Sequence, residues 1–249
     1  MIADATNILL AAGRFSGLAF TAPLLSHAGV GRFVRVLAAI ALAIGLGGEG
    51  GPSARLYEPF GLAIATAVEF AIGAAVGLAA RLAFVGIDLA AEQISVQMGI
   101  SLGQVYSNDQ QDSSPLVTLF GLIAALVFIF IGGVDDLVWA VGESLRLLPV
   151  GVTVGPSSLI PSLIAGLSGA FVLALKIAAG ALAAMLIASA GLGILQRMLP
   201  QAHILTTGLP VRSALGLLAA AGGLKALGWA LEAYWPAVRP MLPAVWKGA

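Results

Sequence analysis

Residues able to do chemistry are few in this chain, and their spacing argues against an enzyme. There are two histidines, His27 and His203, far apart in separate turns, and there is no cysteine. A zinc centre needs three or four His, Cys or carboxylate ligands converging on one point, which this pair does not supply. Gly45, Gly47 and Gly50 satisfy the letters of a G-x-G-x-x-G loop. A dinucleotide fold needs a strand before that loop and a helix after it, whereas here an apolar helix precedes it and Gly51-Pro52 follows. No lysine of the phosphate-binding-loop type follows any glycine cluster, so the sequence implies no catalytic, cofactor-binding or metal-binding residues and no cofactor.

What remains is a set of ionisable residues inside apolar runs: Arg14, Glu69, Arg81, Asp88 and Lys176. A charge at the centre of a bilayer costs about 2.5 to 3.5 kcal/mol on insertion scales, so something must offset it. Two readings stay open. The five line an ion or proton path, or they form interhelical pairs or lie outside the hydrocarbon. A second set is the stretch around Gln97, Met98 and Gly99, where amides interleave with apolar side chains. An amide facing lipid is costly, so this stretch must face protein or a water-filled cavity.

The elements that carry these residues are helical and apolar. Of 249 residues 59% are hydrophobic and 10% charged, with a mean hydropathy of +1.02. Twelve basic and twelve acidic residues cancel, which leaves no long-range field to attract nucleic acid. The first apolar run, Ile8 to Leu25, ends at Pro23 and the Ser26–Gly29 turn, and Phe33 to Leu46 returns as the second arm of a hairpin. The layout of a cleaved signal peptide is missing, so the N-terminus is expected to be retained. Phe60 to Ala91 would measure roughly 48 Å as one helix, against a hydrocarbon core of about 30 Å, and must tilt, kink or leave the bilayer. It contains Gly73-x-x-x-Gly77, the small-residue spacing that lets helix backbones approach.

Glu92 to Tyr106 reads as a glutamine-rich stretch, either lining a cavity with irregular backbone or forming a helix end packed against the neighbouring spans, and a polar loop then runs to Pro115. Leu116 to Val134 is an uncharged span stopped by Asp135-Asp136, and Leu137 to Leu148 a short amphipathic helix. Leu159 to Leu195 is again overlong, as two helical pieces or one bent helix. A polar turn from Arg197 to Pro210 precedes a returning helix, Val211 to Trp235. The prolines from Pro236 onward exclude regular helix there. The fold class expected is therefore all-α, a membrane-class bundle of long, kinked helical hairpins in one domain, 1–249.

The order of these features resembles the FliR family of flagellar type III export-apparatus proteins, shared with the SctT members of virulence injectisomes. The residues that carry the likeness are Arg14 and Pro23, Arg35, Glu69 with Gly73 and Gly77, and Gln97-Met98-Gly99-Ile100-Ser101. Pro115, Phe128, the stretch Ser144 to Gly151, Gly193, Arg197, Pro200-Gln201, Gly208 and Pro210 complete the set. Two features depart from the family pattern: no Asp-Pro pair follows Ser101, and Ile177-Ala178-Ala179-Gly180 replaces a proline often found after the equivalent of Lys176.

The resemblance implies a non-enzymatic subunit of an export gate in the bacterial inner membrane and flagellar basal body. It would be assembled with FliP-like and FliQ-like subunits and docked to an FlhB-like subunit, so that unfolded flagellar subunits leave the cytoplasm through it. It also implies a FliP-like portion, 1–155, and a FliQ-like hairpin, 156–249, with many helices held by partner subunits rather than by membrane lipid. Gln97, Met98, Gly99, Ile100, Ser101, Leu102 and Tyr106 then become candidates for the gate or plug, and Arg197, Pro200, Gln201, Gly208 and Pro210 for a cytoplasmic turn. The alternatives are the equivalent injectisome subunit, a secondary transporter with Glu69, Arg81 and Asp88 at an ion site, and a scaffold without a pore.

Overall fold

A computed structural model describes residues 2–24, 31–46, 59–99, 114–151, 159–198 and 209–238. Among these the chain is helical throughout, with no strand, in seven helices: α1 (Ile2–Thr21), α2 (Arg32–Leu46), α3 (Pro59–Met98), α4 (Pro115–Phe130), α5 (Gly133–Leu147), α6 (Leu159–Met198) and α7 (Leu209–Val238). The all-α membrane-class architecture read from the sequence is the architecture observed. Three helices are long and apolar enough to cross a membrane, Phe60–Met98, Ile164–Ile194 and Pro210–Pro236, and a fourth crossing results if α4 and α5 together make one bent span.

Prolines set several helix starts. Pro59 and Pro115 open α3 and α4, and Pro210 is the second residue of α7. In a first turn the missing proline N–H has no intrahelical partner to lose, and its φ is already helical.

Several boundaries differ from the sequence reading, each for an identifiable reason. The residues Glu92 to Met98 are not a separate segment. They complete α3, which runs unbroken for 40 residues until Gly99 adopts φ 79° and donates its N–H to the Val96 carbonyl at 3.1 Å. A left-handed residue just past the last turn is the common way for a helix to end, and glycine adopts it without strain. Asp135 and Asp136 do not end a span. The chain breaks earlier, at Gly132 (φ 76°), and the two aspartates occupy the first turn of α5, with Arg146 in its last. Acidic residues at the N-terminus and a base at the C-terminus both suit the helix dipole. For Leu159 to Leu195, where one helix or two pieces stayed open, the chain forms a single 40-residue helix, Leu159–Met198, and α7 continues through Pro236 to Val238.

The residues group into two compact units whose segments alternate along the chain. One comprises residues 1–83, 129–168 and 235–249, the other 84–128 and 169–234. The first contains α1, α2, the start of α3 and α5. Its buried residues include Leu10, Phe15, Leu18, Ile72, Val76, Leu137, Val141 and Leu145. On α5 the buried positions Leu137, Ala140, Val141, Ser144 and Leu145 follow the three-and-four spacing of one helix face. The second contains the end of α3, α4 and most of α6 and α7. There α4 buries Leu116, Phe120, Ala124 and Phe128, one every fourth residue, and Phe84 meets Phe128 edge to face with ring centroids 5.5 Å apart.

Candidate functional site

Within the first unit, α1 and α3 approach so closely that both need glycine. A methyl group on Gly73 would overlap the Arg14 carbonyl oxygen, and one on Gly77 would overlap the Thr21 hydroxyl. The reverse holds from the other helix, where a methyl on Gly17 would overlap the Phe70 carbonyl. Gly13 and Gly17 of α1 thus pack against Thr66 to Ala74 of α3, and Gly73 and Gly77 of α3 against Arg14 to Ala22 of α1. The sequence reading found only the second of these glycine pairs, because Gly13 and Gly17 flank a charged residue and do not stand out. The Thr21 hydroxyl donates across the seam to the Ala74 carbonyl at 3.2 Å.

This seam places Arg14 against Glu69, one turn before Gly73. Arg14 Nε donates to Glu69 Oε2 at 2.6 Å, and both side chains are 1% exposed. Arg14 Nη1 donates to the Ser144 hydroxyl and to the Leu148 carbonyl, each at 3.1 Å. The Gly151 N–H donates to the second carboxylate oxygen, Oε1, at 2.9 Å. One ion pair thus ties α1, α3, the end of α5 and the turn that follows it. The Ser144 hydroxyl in turn donates to the Val141 carbonyl at 2.7 Å. Gly151 takes φ 85° in the turn that aims its N–H at Glu69.

The other ionisable residues singled out in apolar runs lie elsewhere. Arg81 and Asp88 on α3 and Lys176 on α6 are on exposed sides of their helices in this chain, in contrast to the buried Arg14 and Glu69. The sequence marks all five as candidates for buried pairing while leaving open that they lie outside the hydrocarbon, because the reading rests on hydropathy. Hydropathy does not distinguish the inward from the outward face of a helix apolar all round.

Within the second unit, the end of α3 is held by α7. Met98 is fully buried, and a methyl group on Gly216 would overlap it. Arg212 donates through Nε to the Gln97 carbonyl and through Nη2 to the Gln97 side-chain oxygen at 3.0 Å. The Ser213 hydroxyl donates to the Met98 carbonyl at 3.3 Å. Near the same end of α3, the hydroxyls of Ser95 and Ser114 share a hydrogen bond of 2.6 Å and both residues are buried. The chain thus departs at Gly99 and returns at Ser114 beside the same last turns of α3.

Among the described residues no cluster of three or more His, Asp or Glu could hold a metal ion.

Residues 5–237 match the protein family described as bacterial export proteins, family 1. The chain belongs to that family. Two relatives are similar to it under the name flagellar biosynthetic protein FliR. That of Escherichia coli (strain K12) is 27% identical over 209 residues, 82% of this chain and 78% of the relative. That of Aquifex aeolicus (strain VF5) is 28% identical over 151 residues, 60% of this chain and 58% of the relative, so that match spans less than two thirds of the relative's length.

In this member of the bacterial export proteins, Gln97, Met98 and Gly99 fall in the held end of α3. Ile100, Ser101, Leu102 and Tyr106 lie outside the described residues, as do Pro200, Gln201 and Gly208, while Arg197 and Pro210 are exposed near the end of α6 and the start of α7. Sequence reasoning missed Arg212, Ser95 and Ser114, and it named Ser144 only as part of the resemblance, without its bond to Arg14. Only Arg212 carried a usable signal, a base in the first turn of a helix, where its own dipole disfavours it.

Proposed function

We propose that the chain is a core, non-enzymatic subunit of the flagellar type III export gate in the bacterial inner membrane. It assembles with FliP-like and FliQ-like subunits, docks to an FlhB-like subunit, and with them forms the channel through which unfolded flagellar subunits leave the cytoplasm. The observation that carries this reading is the family match, which runs from residue 5 to residue 237, together with relatives named for flagellar biosynthesis. Residues 1–155 form the FliP-like portion, 156–249 the FliQ-like hairpin, and the turn around Arg197 to Arg212 faces the cytoplasm.

The surfaces of the helices support it. In the three candidate spans only 44%, 33% and 33% of the residues in the most apolar window are buried by the chain itself. Phe171, Val172, Leu175, Leu186 and Ile187 on α6 are all exposed. Apolar helix faces with glycine and alanine between them suit close packing against neighbouring subunits and lipid. Lys176 stands among them and makes no ion pair among the described residues. In the assembly it faces a partner or water rather than hydrocarbon, given the cost of a charge there.

The gate lies at Gln97 to Tyr106. Met98, flexible, apolar and buried against α7, anchors the α3 end of that stretch. A transporter reading that uses Glu69 as an ion site draws no support from a carboxylate whose two oxygens are taken by Arg14 and the Gly151 N–H.

The test replaces Met98 to Leu102 with small residues in the assembled complex. Ion leakage should rise. Unchanged conductance together with normal export would remove the gate assignment.

A further inference from the structure

Arg212 is the fourth residue of α7, a place where the partial positive charge of the helix N-terminus opposes a cation. The reason for its position lies in another helix. The last four carbonyls of α3 have no intrahelical donor, and α3 carries no basic residue in its own last turn. Arg212 supplies the missing cation from outside, with Nε on the Gln97 carbonyl and Nη2 on the Gln97 side-chain oxygen. Gripping one residue by both its backbone and its side chain fixes the carbonyl and the rotamer together, as a planar fork does and a point charge does not. Ser213 takes the next carbonyl, that of Met98. Gly216, one turn further along α7, leaves room for the buried Met98 side chain, which any side chain at 216 would strike. Three consecutive features of α7 thus converge on two residues of α3.

We propose that Arg212 is a positioning residue that clamps Gln97 and Met98 to the start of α7, and that the strength of this clamp sets how tightly the export passage is sealed at rest. The second half rests on the channel reading above. Opening the passage at Met98 then requires Arg212 to release charge-assisted hydrogen bonds, and a chain entering the channel would have to displace them.

The experiment is done on the complex assembled in native membranes, with Arg212→Met beside the unmodified protein. Two quantities are read: amide exchange at Ile94 to Met98, and ion conductance. Loss of hydrogen bonds to a charged donor should raise local opening about tenfold or more. That rise should be confined to the end of α3, with the exchange of α1 and α5 unchanged, and conductance should increase with it. Arg212→Lys should fall between the two, since it keeps the charge and loses the fork. Gln97→Glu with Arg212 intact should slow exchange below that of the unmodified protein.

Unchanged exchange at Ile94 to Met98 in Arg212→Met would overturn the clamp. Faster exchange with unchanged conductance would uphold the clamp and overturn its link to the passage. Higher conductance in Met98→Gly but not in Arg212→Met would leave the channel reading standing and overturn the role of Arg212. If Arg212→Met does not assemble, Arg212→Lys and Ser213→Ala carry the same comparison at smaller amplitude.

Discussion

Arg14 and Glu69 lie 55 positions apart in the sequence and 2.6 Å apart in the structure, each side chain 1% exposed. A buried pair of this kind adds little by itself, because desolvating both charges offsets most of their attraction. Its effect appears when one partner is lost. Arg14→Met would leave the Glu69 carboxylate with the Gly151 N–H alone, and Glu69→Gln would leave a buried guanidinium without its counterion. Each should cost about 3 to 5 kcal/mol of stability. The double replacement should recover a substantial part of that loss. Denaturation of the purified chain in detergent measures all three, and a double replacement worse than the sum of the two singles would contradict this account.

Gly73 and Gly77 should not tolerate side chains. Gly73→Val drives a branched side chain into the Arg14 backbone, and overpacking of this sort costs roughly 1 to 3 kcal/mol or more. It also separates Arg14 from Glu69, so the two defects should compound. Gly180→Val on α6 is the control, because nothing lies within 4 Å of a side chain placed there by this chain. Stability of the isolated chain should fall for Gly73→Val and hold for Gly180→Val. If Gly180→Val then fails to assemble with partner subunits, that position lies in an interface.

The Ser95–Ser114 hydrogen bond joins the start of α4 to α3 at a fully buried site. Ser95→Ala leaves the Ser114 hydroxyl without this partner, at a cost of about 1 to 3 kcal/mol. Removing both hydroxyls should cost less than removing one. Thermal unfolding of the three variants decides it, and a double loss equal to the sum of the two single losses would show that the hydroxyls do not depend on each other.

Trp235 Nε1 donates to Asp136 Oδ2 at 2.9 Å within the first unit. Trp235→Phe keeps most of the buried ring and removes the donor, so it isolates a hydrogen bond to a charged acceptor, worth about 1.5 to 3 kcal/mol. The loss should shrink to about 0.5 to 1.5 kcal/mol in an Asp136→Asn background, whose amide oxygen still accepts but carries no charge. Thermal unfolding of the four combinations is the measurement.

The fold was largely readable from the sequence, since apolar runs bounded by proline and glycine mark helices whatever surrounds them. The misplaced boundaries share a physical cause. Polar residues at Glu92 to Gln97 and at Asp135-Asp136 look like interruptions in a one-dimensional hydropathy profile. In a helix they are faces or first-turn residues, and the real breaks are the left-handed glycines Gly99 and Gly132. The need of Arg14 and Glu69 for partners was readable too. That they partner each other was not, because a pairing across 55 residues depends on the Gly13/Gly17 and Gly73/Gly77 seam that brings α1 onto α3. The role of Arg212 is likewise invisible in its own helix and intelligible only from the carbonyl end of another. Arg81, Asp88 and Lys176 show the converse, since a charge in an apolar run does not reveal which side of the helix it occupies.

The central claim is membership of an export gate built from several membrane subunits, and its most direct test is the composition of the complex isolated from native membranes through a tag on this chain. FliP-like and FliQ-like chains should be recovered with it in fixed proportion, several copies to each copy of this one. Recovery of the chain alone, or in a complex containing neither, would contradict the account.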